Sequence, residues 1–198
     1  MEANPHYYKK DHRPLVNVHP LSIPHGTLSH WQSILDVISQ VLALPAGVIT
    51  RALPPSMEIA VAARDADNPF NPGDRMEMVG RYCEAVILEK QPLHVIDART
   101  DPYWENAPEV KDYGLVAYIG YPLFWPDGEM FGTLCMMSPE PFEFGTVHKQ
   151  LIYEFKTAVE AHLASVYIRA QVKQIDTELM NARSEIETLQ GLLQKHSG

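Results

Sequence analysis

The chain has 198 residues, of which 45% are hydrophobic and 21% are charged. This composition predicts a folded domain and excludes a disordered or collagen-like chain. Lys and Arg number 16 against 25 Asp and Glu, and the resulting net charge of -9 disfavours binding to nucleic acid or to an anionic membrane. No stretch approaches the roughly 20 apolar residues of a membrane span, and the N-terminus lacks a signal-peptide pattern, so we expect a cytoplasmic protein without membrane insertion.

The first part of the chain predicts an irregular arm, a helix and a hairpin. Residues 1–27 are rich in proline and histidine and show no sustained apolar period, so they form the arm. A helix is expected to begin near Ser29, whose hydroxyl can cap the free amides. Its apolar face comprises Trp31, Ile34, Leu35, Ile38, Val41 and Leu42. Two β-type runs, residues 47–51 and 58–62, flank a Pro-Pro-Ser turn and predict a hairpin.

The middle of the chain predicts a second helix, a strand and a second hairpin. Apolar residues recur at helical spacing between residues 76 and 90, with Val79 among them, and a proline ends this helix before a strand at residues 93–96. Two β-rich runs at about residues 115–137 are joined by a Pro-Asp-Gly turn. Gly132, in the second run, is expected to let a neighbouring strand approach closely.

The C-terminal part predicts one long helix with two apolar registers. No proline and only Gly191 interrupt the chain between about Thr146 and the C-terminus. The first register suits packing on a domain core and comprises Leu151, Phe155, Val159, Leu163 and Val166. The second alternates spacings of four and three and comprises Ile168, Val172, Ile175, Leu179, Ala182, Ile186, Leu189 and Leu193. We expect this seam to form a dimerising coiled coil, since a solvated single helix, the alternative, would expose these side chains.

The order of elements and several short motifs resemble the GAF domain of bacterial sensor proteins, a small-molecule-binding fold related to PAS. The motifs are residues 80–87 (GRYCEAVI), 91–98 (QPLHVIDA), 101–106 (DPYWEN), 118–123 (YIGYPL), 125–128 (WPDG) and 131–135 (FGTLC). The resemblance covers about residues 29–166 and continues into the signalling helix that commonly follows such domains. It implies an α+β fold with a central antiparallel sheet, helices on both faces, and the first and last helices on one face. The expected segments are the arm at 1–27, a sensory domain at 28–166 and a coiled-coil helix at 167–198.

The resemblance implies a sensory module rather than an enzyme. Such a module would bind a small molecule, form a homodimer through its terminal helices, and signal to a histidine kinase, as in two-component systems, or to a diguanylate cyclase. Two alternatives stay open: a GAF-fold thiol reductase of the free methionine sulfoxide type, using Cys83 or Cys135, and a ligand-free dimerisation module. Both cysteines lie in apolar runs, which is typical of core residues rather than reactive thiolates. No cofactor is assigned, and no histidine follows Cys83, where a Cys-His pair would mark one type of bilin site.

A GAF-like arrangement implies a pocket between the sheet and an irregular crossover at residues 97–113. The candidate ligand-binding residues are His94, Asp97, Tyr103, Trp104, Tyr113, Tyr118 and Tyr121. Carboxylates of the crossover are interpreted mainly as turn caps. The five histidines His6, His12, His19, His25 and His30 lack the spacing of zinc motifs, so no metal site is predicted.

Overall fold

The computed structural model describes residues 18–196, with side chains described as far as residue 192. Most of the predicted arm, with His6 and His12, therefore lies outside the described residues, as does the side chain of Leu193. In chain order the described elements are α1 (His25–Leu42), β1 (Ala46–Leu53), β2 (Ser56–Ala62), β3 (Arg75–Glu77), α2 (Tyr82–Glu89), β4 (Leu93–Val95), α3 (Pro108–Tyr113), β5 (Ala117–Phe124), β6 (Met130–Ser138) and α4 (Thr146–His196). None of these helices is both long and apolar enough to cross a membrane.

The strands form a six-stranded antiparallel sheet in the order β3-β2-β1-β6-β5-β4. The two predicted hairpins supply the β1–β2 and β5–β6 ladders. They join along β1 and β6, where Val48 lies opposite Cys135 and Thr50 lies opposite Thr133. The predicted central antiparallel sheet is thereby confirmed.

Each face of the sheet is covered by its own helices and carries its own apolar core. On one face, α1 and α4 pack together, and Trp31 and Phe155 share a core with Leu134. On the other face, α2 and the crossover cover a core that contains Tyr82 and Trp104. We call these the α4 face and the α2 face. The expectation that the first and last helices share one face is confirmed.

The start of α1 differs from the prediction. The helix begins at His25 rather than near Ser29, because the carbonyl of Pro24 accepts two amides of the first turn, at 2.9 and 3.2 Å, and no side chain caps it. The Ser29 hydroxyl instead lies 3.4 Å from Nδ1 of His25. Residues 25–27, which the sequence analysis assigned to the arm, are therefore helical.

Three further details of the prediction were wrong. Val79 is exposed and precedes α2, which begins only at Tyr82. Residues 75–77 pair with β2 as the edge strand β3, which the sequence analysis missed because three residues carry too little periodicity to be recognised. Val41, assigned to the apolar face of α1, is exposed.

Helix α4 changes its environment along its length. Phe155, Val159 and Leu163 are buried against the sheet, and Leu151 and Val166 are partly buried in the same core, as the first register predicts. Beyond them the apolar stripe is solvent-facing: Ile168, Val172, Ile175, Leu179, Ile186 and Leu189 are 51 to 63% exposed, and Ala182 is exposed too. The single chain therefore leaves the second register uncovered.

A first prediction concerns Gly132, where a Cβ would collide with the carbonyl oxygen of Thr50. We expect Gly132→Ala to lower the free energy of unfolding by about 1–3 kcal/mol, because β1 and β6 would have to separate. Gly26→Ala in α1 is the matched control: nothing lies within 4 Å of its Cβ position. That change should leave the free energy of unfolding unchanged or raise it by up to about 1 kcal/mol. Chemical denaturation measures both, and a Gly132→Ala protein as stable as the wild type would contradict the close-approach argument.

Candidate functional site

A column of aromatic rings lies on the α2 face. Tyr82 of α2 is fully buried, and its ring centroid lies 4.7 Å from that of Tyr118 and 4.9 Å from that of Trp104. Tyr103 meets Trp104 edge-on with the centroids 4.8 Å apart. Trp104 is buried in the core, whereas its neighbour Tyr103 is half-buried at the edge of that core. The structure thus brings together three of the predicted ligand residues: Tyr103, Trp104 and Tyr118.

Beneath the rings lies a buried network of thiols and hydroxyls formed by Thr50, Cys83, Tyr118, Thr133 and Cys135, which we call the thiol cluster. The sulfur atoms of Cys83 and Cys135 are 3.4 Å apart. Oη of Tyr118 lies 3.1 Å from Sγ of Cys135, and Oγ1 of Thr133 donates to Sγ of Cys83 at 3.3 Å. The hydroxyls of Thr50 and Thr133 are 2.7 Å apart. Every member of the cluster therefore has a polar partner, as buried polar groups require.

Strand register explains how the cluster assembles. Gly120 of β5 lies directly opposite Cys135 of β6. Tyr118 precedes Gly120 by two residues on the same face of the strand, and its ring folds over Gly120, where a Cβ would collide with Oη. The absence of a side chain at Gly120 therefore lets the Tyr118 hydroxyl reach the thiol of Cys135.

The hydrogen bonds in the cluster make its two thiols unequal. The hydrogen bond from Cys135 lowers the pKa of Cys83, and Thr133 and Tyr118 add to this effect, while burial and the charge of Glu109 oppose it. Burial raises the pKa of Cys135 well above its ordinary value. Burial likewise raises the pKa of Tyr118. The pKa values of the two thiols are therefore shifted in opposite directions.

A buried ion pair connects the start of α2 to α3. Nη1 of Arg81 lies 3.3 Å from Oε1 of Glu109, and the two side chains are only 9% and 4% exposed. Nε of Arg81 also donates to the carbonyl of Glu77 at 2.8 Å. The second oxygen, Oε2 of Glu109, is buried and accepts no hydrogen bond of ordinary geometry from the described residues. Burial raises the pKa of Glu109, although Arg81 counteracts the rise.

Two of the predicted ligand residues lie on the opposite side of the sheet. His94 is exposed and pairs with Ile119, whose side chain belongs to the core of the α4 face. Tyr121 packs in that core and its hydroxyl donates to the carbonyl of Lys149 in α4 at 3.4 Å. Partial burial lowers the pKa of His94, and the charge of Lys149 adds to the effect. The alternation of side chains along β4 and β5 therefore separates these two residues from Tyr118.

Asp97 and Tyr113, the other two predicted residues, lie at the ends of the crossover. Asp97 caps a short 3-10 helix by accepting the amide of Arg99 at 3.1 Å and forms an ion pair with the guanidinium of Arg99. That hydrogen-bonded guanidinium lowers the pKa of Asp97. Tyr113, at the end of α3, packs its ring against Phe70 with centroids 4.9 Å apart. The capping interpretation holds for Asp97, whereas Glu109 is buried in an ion pair.

Within the described part of the chain, no group of three or more His, Cys, Asp or Glu side chains could hold a metal ion. Of the five histidines near the N-terminus, the structure describes three. The His19 ring packs 4.6 Å from that of Trp125. His25 and His30 belong to α1 and are exposed, and the His30 ring lies 5.1 Å from that of His162.

Sequence reasoning missed the residues that join these features. Arg81 and Glu109 are 28 positions apart, and no local pattern marks them as partners. The two cysteines are 52 positions apart and each was correctly interpreted as buried, but their contact depends on how α2 docks over β6. One signal was available: Gly120 follows Tyr118 by two residues and therefore lies on the same face of the strand, where the missing side chain leaves room for the tyrosine ring.

A second prediction concerns the pH dependence of stability. Because burial raises the pKa of Glu109 above its ordinary 4.5, the folded protein retains a proton that the unfolded chain releases as the pH rises through this range. The free energy of unfolding should therefore fall with rising pH until the folded-state pKa is passed. Glu109→Gln should remove this contribution, whereas Glu84, whose pKa burial also raises, contributes equally to both proteins.

The measurement is chemical denaturation at a series of values from about pH 4 to about pH 8. Glu105→Gln, at an exposed carboxylate of the same crossover, is the matched control and should keep the wild-type slope. Parallel pH profiles for wild type and Glu109→Gln would contradict the prediction.

Comparison with known proteins identifies the fold. The family model for the GAF domain matches residues 30–163. The blue-light-absorbing GAF domain of PixJ from Thermosynechococcus elongatus superposes with a TM-score of 0.61 at 13% identity, covering 77% of this chain and 96% of that one. Free methionine-R-sulfoxide reductase from Neisseria meningitidis, solved with its substrate, superposes with a TM-score of 0.57 at 14% identity, covering 73% and 81%. At these identities the two structures show a shared fold alone.

A curated relative is the diguanylate cyclase DgcP of Escherichia coli K12, which is 24% identical over 89 residues. The match includes 45% of this chain and 26% of the cyclase, so it spans about a quarter of that protein's length. The GAF family model, by contrast, covers the sheet, α2, the crossover and the packed part of α4. Since this match includes well over half of the sequence, the chain belongs to the GAF domain family.

Proposed function

We propose that this GAF domain is a cytoplasmic sensory module that binds a small molecule on its α2 face and dimerises through α4. The dimer would pass the binding event to an output domain, a histidine kinase or a diguanylate cyclase. Membership of a sensory domain family and the likeness to a diguanylate cyclase support this role.

The observation that carries ligand binding is the buried Oε2 of Glu109, which accepts no hydrogen bond of ordinary geometry from the described residues. Burial raises the pKa of this carboxyl, and the nearby backbone amides of Glu109 and Tyr82 oppose the rise without completing such a bond. A buried acceptor without a donor costs about 1–3 kcal/mol, which an N–H or O–H group of a ligand would recover. Glu109 belongs to α3 in the crossover, the same segment that carries the rings of Tyr103 and Trp104, which meet edge-on. We infer a ligand with a hydrogen-bond donor toward Glu109 and a flat or apolar part against these rings.

Of the predicted ligand residues, Tyr103, Trp104 and Tyr118 belong to this proposed site, and Asp97 and Tyr113 lie at its margin. His94 and Tyr121 lie on the α4 face and belong instead to the contact between the sheet and α4. Arg81 joins the site as the group that holds Glu109 in place.

Strand β5 offers a route from the ligand to α4. It carries Tyr118 on the α2 face and Ile119 and Tyr121 on the α4 face. A ligand that favours one position of β5 would therefore alter the packing of Tyr121 beneath α4. The size of the response is limited to the difference in binding free energy between the two conformations.

The exposed stripe of α4 supports dimerisation. Its members follow a continuous four-and-three spacing, and in the single chain more than half of the surface of Leu179 and of Ile186 is exposed. A second copy of the helix would cover these aliphatic side chains in a coiled coil.

The thiol reductase is the alternative enzymatic function, and the contact between the two sulfur atoms is the observation in its favour. Against it, Cys83 is 3% and Cys135 0% exposed, whereas the thiolate of such a reductase has to meet a substrate as large as an amino acid, far larger than hydrogen peroxide. An assay with free methionine-R-sulfoxide and a thiol reductant separates the two functions. Turnover that disappears in Cys83→Ser would replace the sensory proposal.

A ligand-free dimerisation module is the other alternative, and the close aromatic packing of the α2 face is the observation in its favour.

A third prediction tests ligand binding directly. Native mass spectrometry of the full chain as purified should show a non-covalent small-molecule adduct. Glu109→Gln should lose it, because an amide replaces one acceptor oxygen by a donor, and Glu105→Gln should keep it. After unfolding and refolding to remove the adduct, amides of residues 101–113 should exchange faster. Wild-type protein free of any adduct would instead favour the ligand-free module.

A fourth prediction tests the dimer. Light scattering coupled to size exclusion should give a dimer for the wild type at micromolar concentration. Leu179→Glu with Ile186→Glu should give a monomer, because the charges would be buried in the seam. Thr177→Glu with Ser184→Glu places the same two charges on the outer face of the same helical turns, where both residues are exposed, and should remain dimeric. A monomeric wild type, or dissociation of both double variants, would contradict the seam.

A further inference from the structure

We propose that Cys83 and Cys135 form an oxidative modification site, at which a hydroperoxide converts the two thiols into an intramolecular disulfide between α2 and β6. The inference goes beyond the proposed sensory role and requires neither the small-molecule ligand nor the dimer. It rests on the geometry of the thiol cluster.

The two sulfur atoms are already in contact across the interface between helix and sheet. They lie 3.4 Å apart, and a disulfide of about 2.05 Å requires them to approach by roughly 1.4 Å. Cys83 belongs to the first turn of α2, and Cys135 to the centre of β6. Small adjustments of the two side chains and of α2 over the sheet can supply that approach, since no other residue has to leave the space between the sulfurs.

Position in the fold divides the chemistry between the two thiols. The hydroxyls of Thr133 and Tyr118 reach both sulfur atoms, at 3.3 and 3.6 Å from Sγ of Cys83 and at 3.0 and 3.1 Å from Sγ of Cys135, so they can stabilise a thiolate at either position. The positive end of α2 favours negative charge on Cys83, which lies in its first turn. Cys83 is thus the attacking sulfur, and Cys135, held by Tyr118 at 3.1 Å, is the resolving one.

The reaction balances with hydrogen peroxide as the oxidant. The deprotonated sulfur of Cys83 attacks one peroxide oxygen; the O–O bond breaks, a sulfenic acid forms on Cys83, and the departing hydroxide becomes water with the proton that Cys83 released. The sulfur of Cys135 then attacks the sulfur of Cys83; the S–S bond forms, the S–O bond breaks, and the hydroxide leaves as water with the proton of Cys135. The thiols lose two electrons in total, and one peroxide is reduced to two waters.

The bond would hold α2 against the centre of the sheet. Tyr82, the residue before Cys83, forms the middle of the aromatic column between Tyr118 and Trp104. A disulfide beside it would therefore restrict how far α2 and the crossover can move away from the α2 face.

The test uses the full wild-type chain, folded, at neutral pH. The protein is treated with hydrogen peroxide, the peroxide is removed with catalase, and the chain is then unfolded in N-ethylmaleimide for intact mass measurement. We expect alkylation at both cysteines before treatment and at neither afterwards. The mass of the treated chain should be two hydrogens lower than that of the reduced, unalkylated chain. Dithiothreitol should restore the reduced mass and the alkylation of both cysteines. Because the chain contains only two cysteines, an intramolecular disulfide can join only this pair.

Three outcomes would overturn the proposal: full alkylation of both thiols after treatment, disulfide-linked dimers on a non-reducing gel, or sulfinic acid in place of a disulfide. The single variants assign the roles. Cys135→Ser should stop at a sulfenic acid on Cys83 that dimedone traps, and Cys83→Ser should leave Cys135 unmodified. The reverse pattern would overturn the assignment of Cys83 as attacking thiol. Should either variant fail to fold, the wild-type measurement still decides whether the disulfide forms.

Discussion

Burial of the two central strands on both faces is the constraint on which the rest of the structure depends. Strand β6 is buried along its whole length, and β5 along nearly all of it. Because successive side chains of a strand point to opposite faces, these strands supply two separate cores. Thr133 and Cys135 thereby face α2, while Leu134 and Met136 face α4. A slip of one residue would exchange the two sets, which is why the register is strongly specified.

The two faces differ in chemistry as well as in their covering helices. The α4 face is a largely apolar core in which the helices α1 and α4 pack side by side on the sheet. The α2 face combines an apolar core with thiols, hydroxyls and a buried ion pair. Buried polar groups cost free energy unless they are hydrogen-bonded, and the thiol cluster meets this requirement internally. Glu109 is the exception, since one of its oxygens accepts no hydrogen bond of ordinary geometry from the described residues. This difference makes the α2 face the better candidate for chemistry and the α4 face the better one for mechanical support.

Helix α4 has two packing environments in one continuous element. Its first part contributes Phe155, Val159 and Leu163 to the domain core, and its second part presents aliphatic side chains to solvent. The change occurs between Val166, which is partly buried, and Ile168, which is exposed. The helix is thus anchored in the domain at one end and presents an uncovered apolar stripe at the other.

The amino-acid sequence by itself determined the elements whose signals are local. Turn chemistry predicted both hairpins. In the β5–β6 turn, for example, Gly128 adopts the positive φ of +85° that the turn needs. Apolar spacing predicted α4 and its change of register, and the motifs predicted the GAF fold. Local signals missed two features. The start of α1 is capped by the backbone carbonyl of Pro24, which leaves no side-chain signal, and β3 is too short to show a period.

The tertiary structure decided everything that depends on which side chains meet. Alternation along β4 and β5 separated His94 and Tyr121 from Tyr118, although Tyr118 and Tyr121 are only three residues apart in β5. The docking of α2 over β6 brought Cys83 to Cys135, and the crossover brought Glu109 to Arg81. Contacts across tens of residues leave no spacing pattern in the chain, because they are fixed by sheet register and helix docking rather than by the period of any single element.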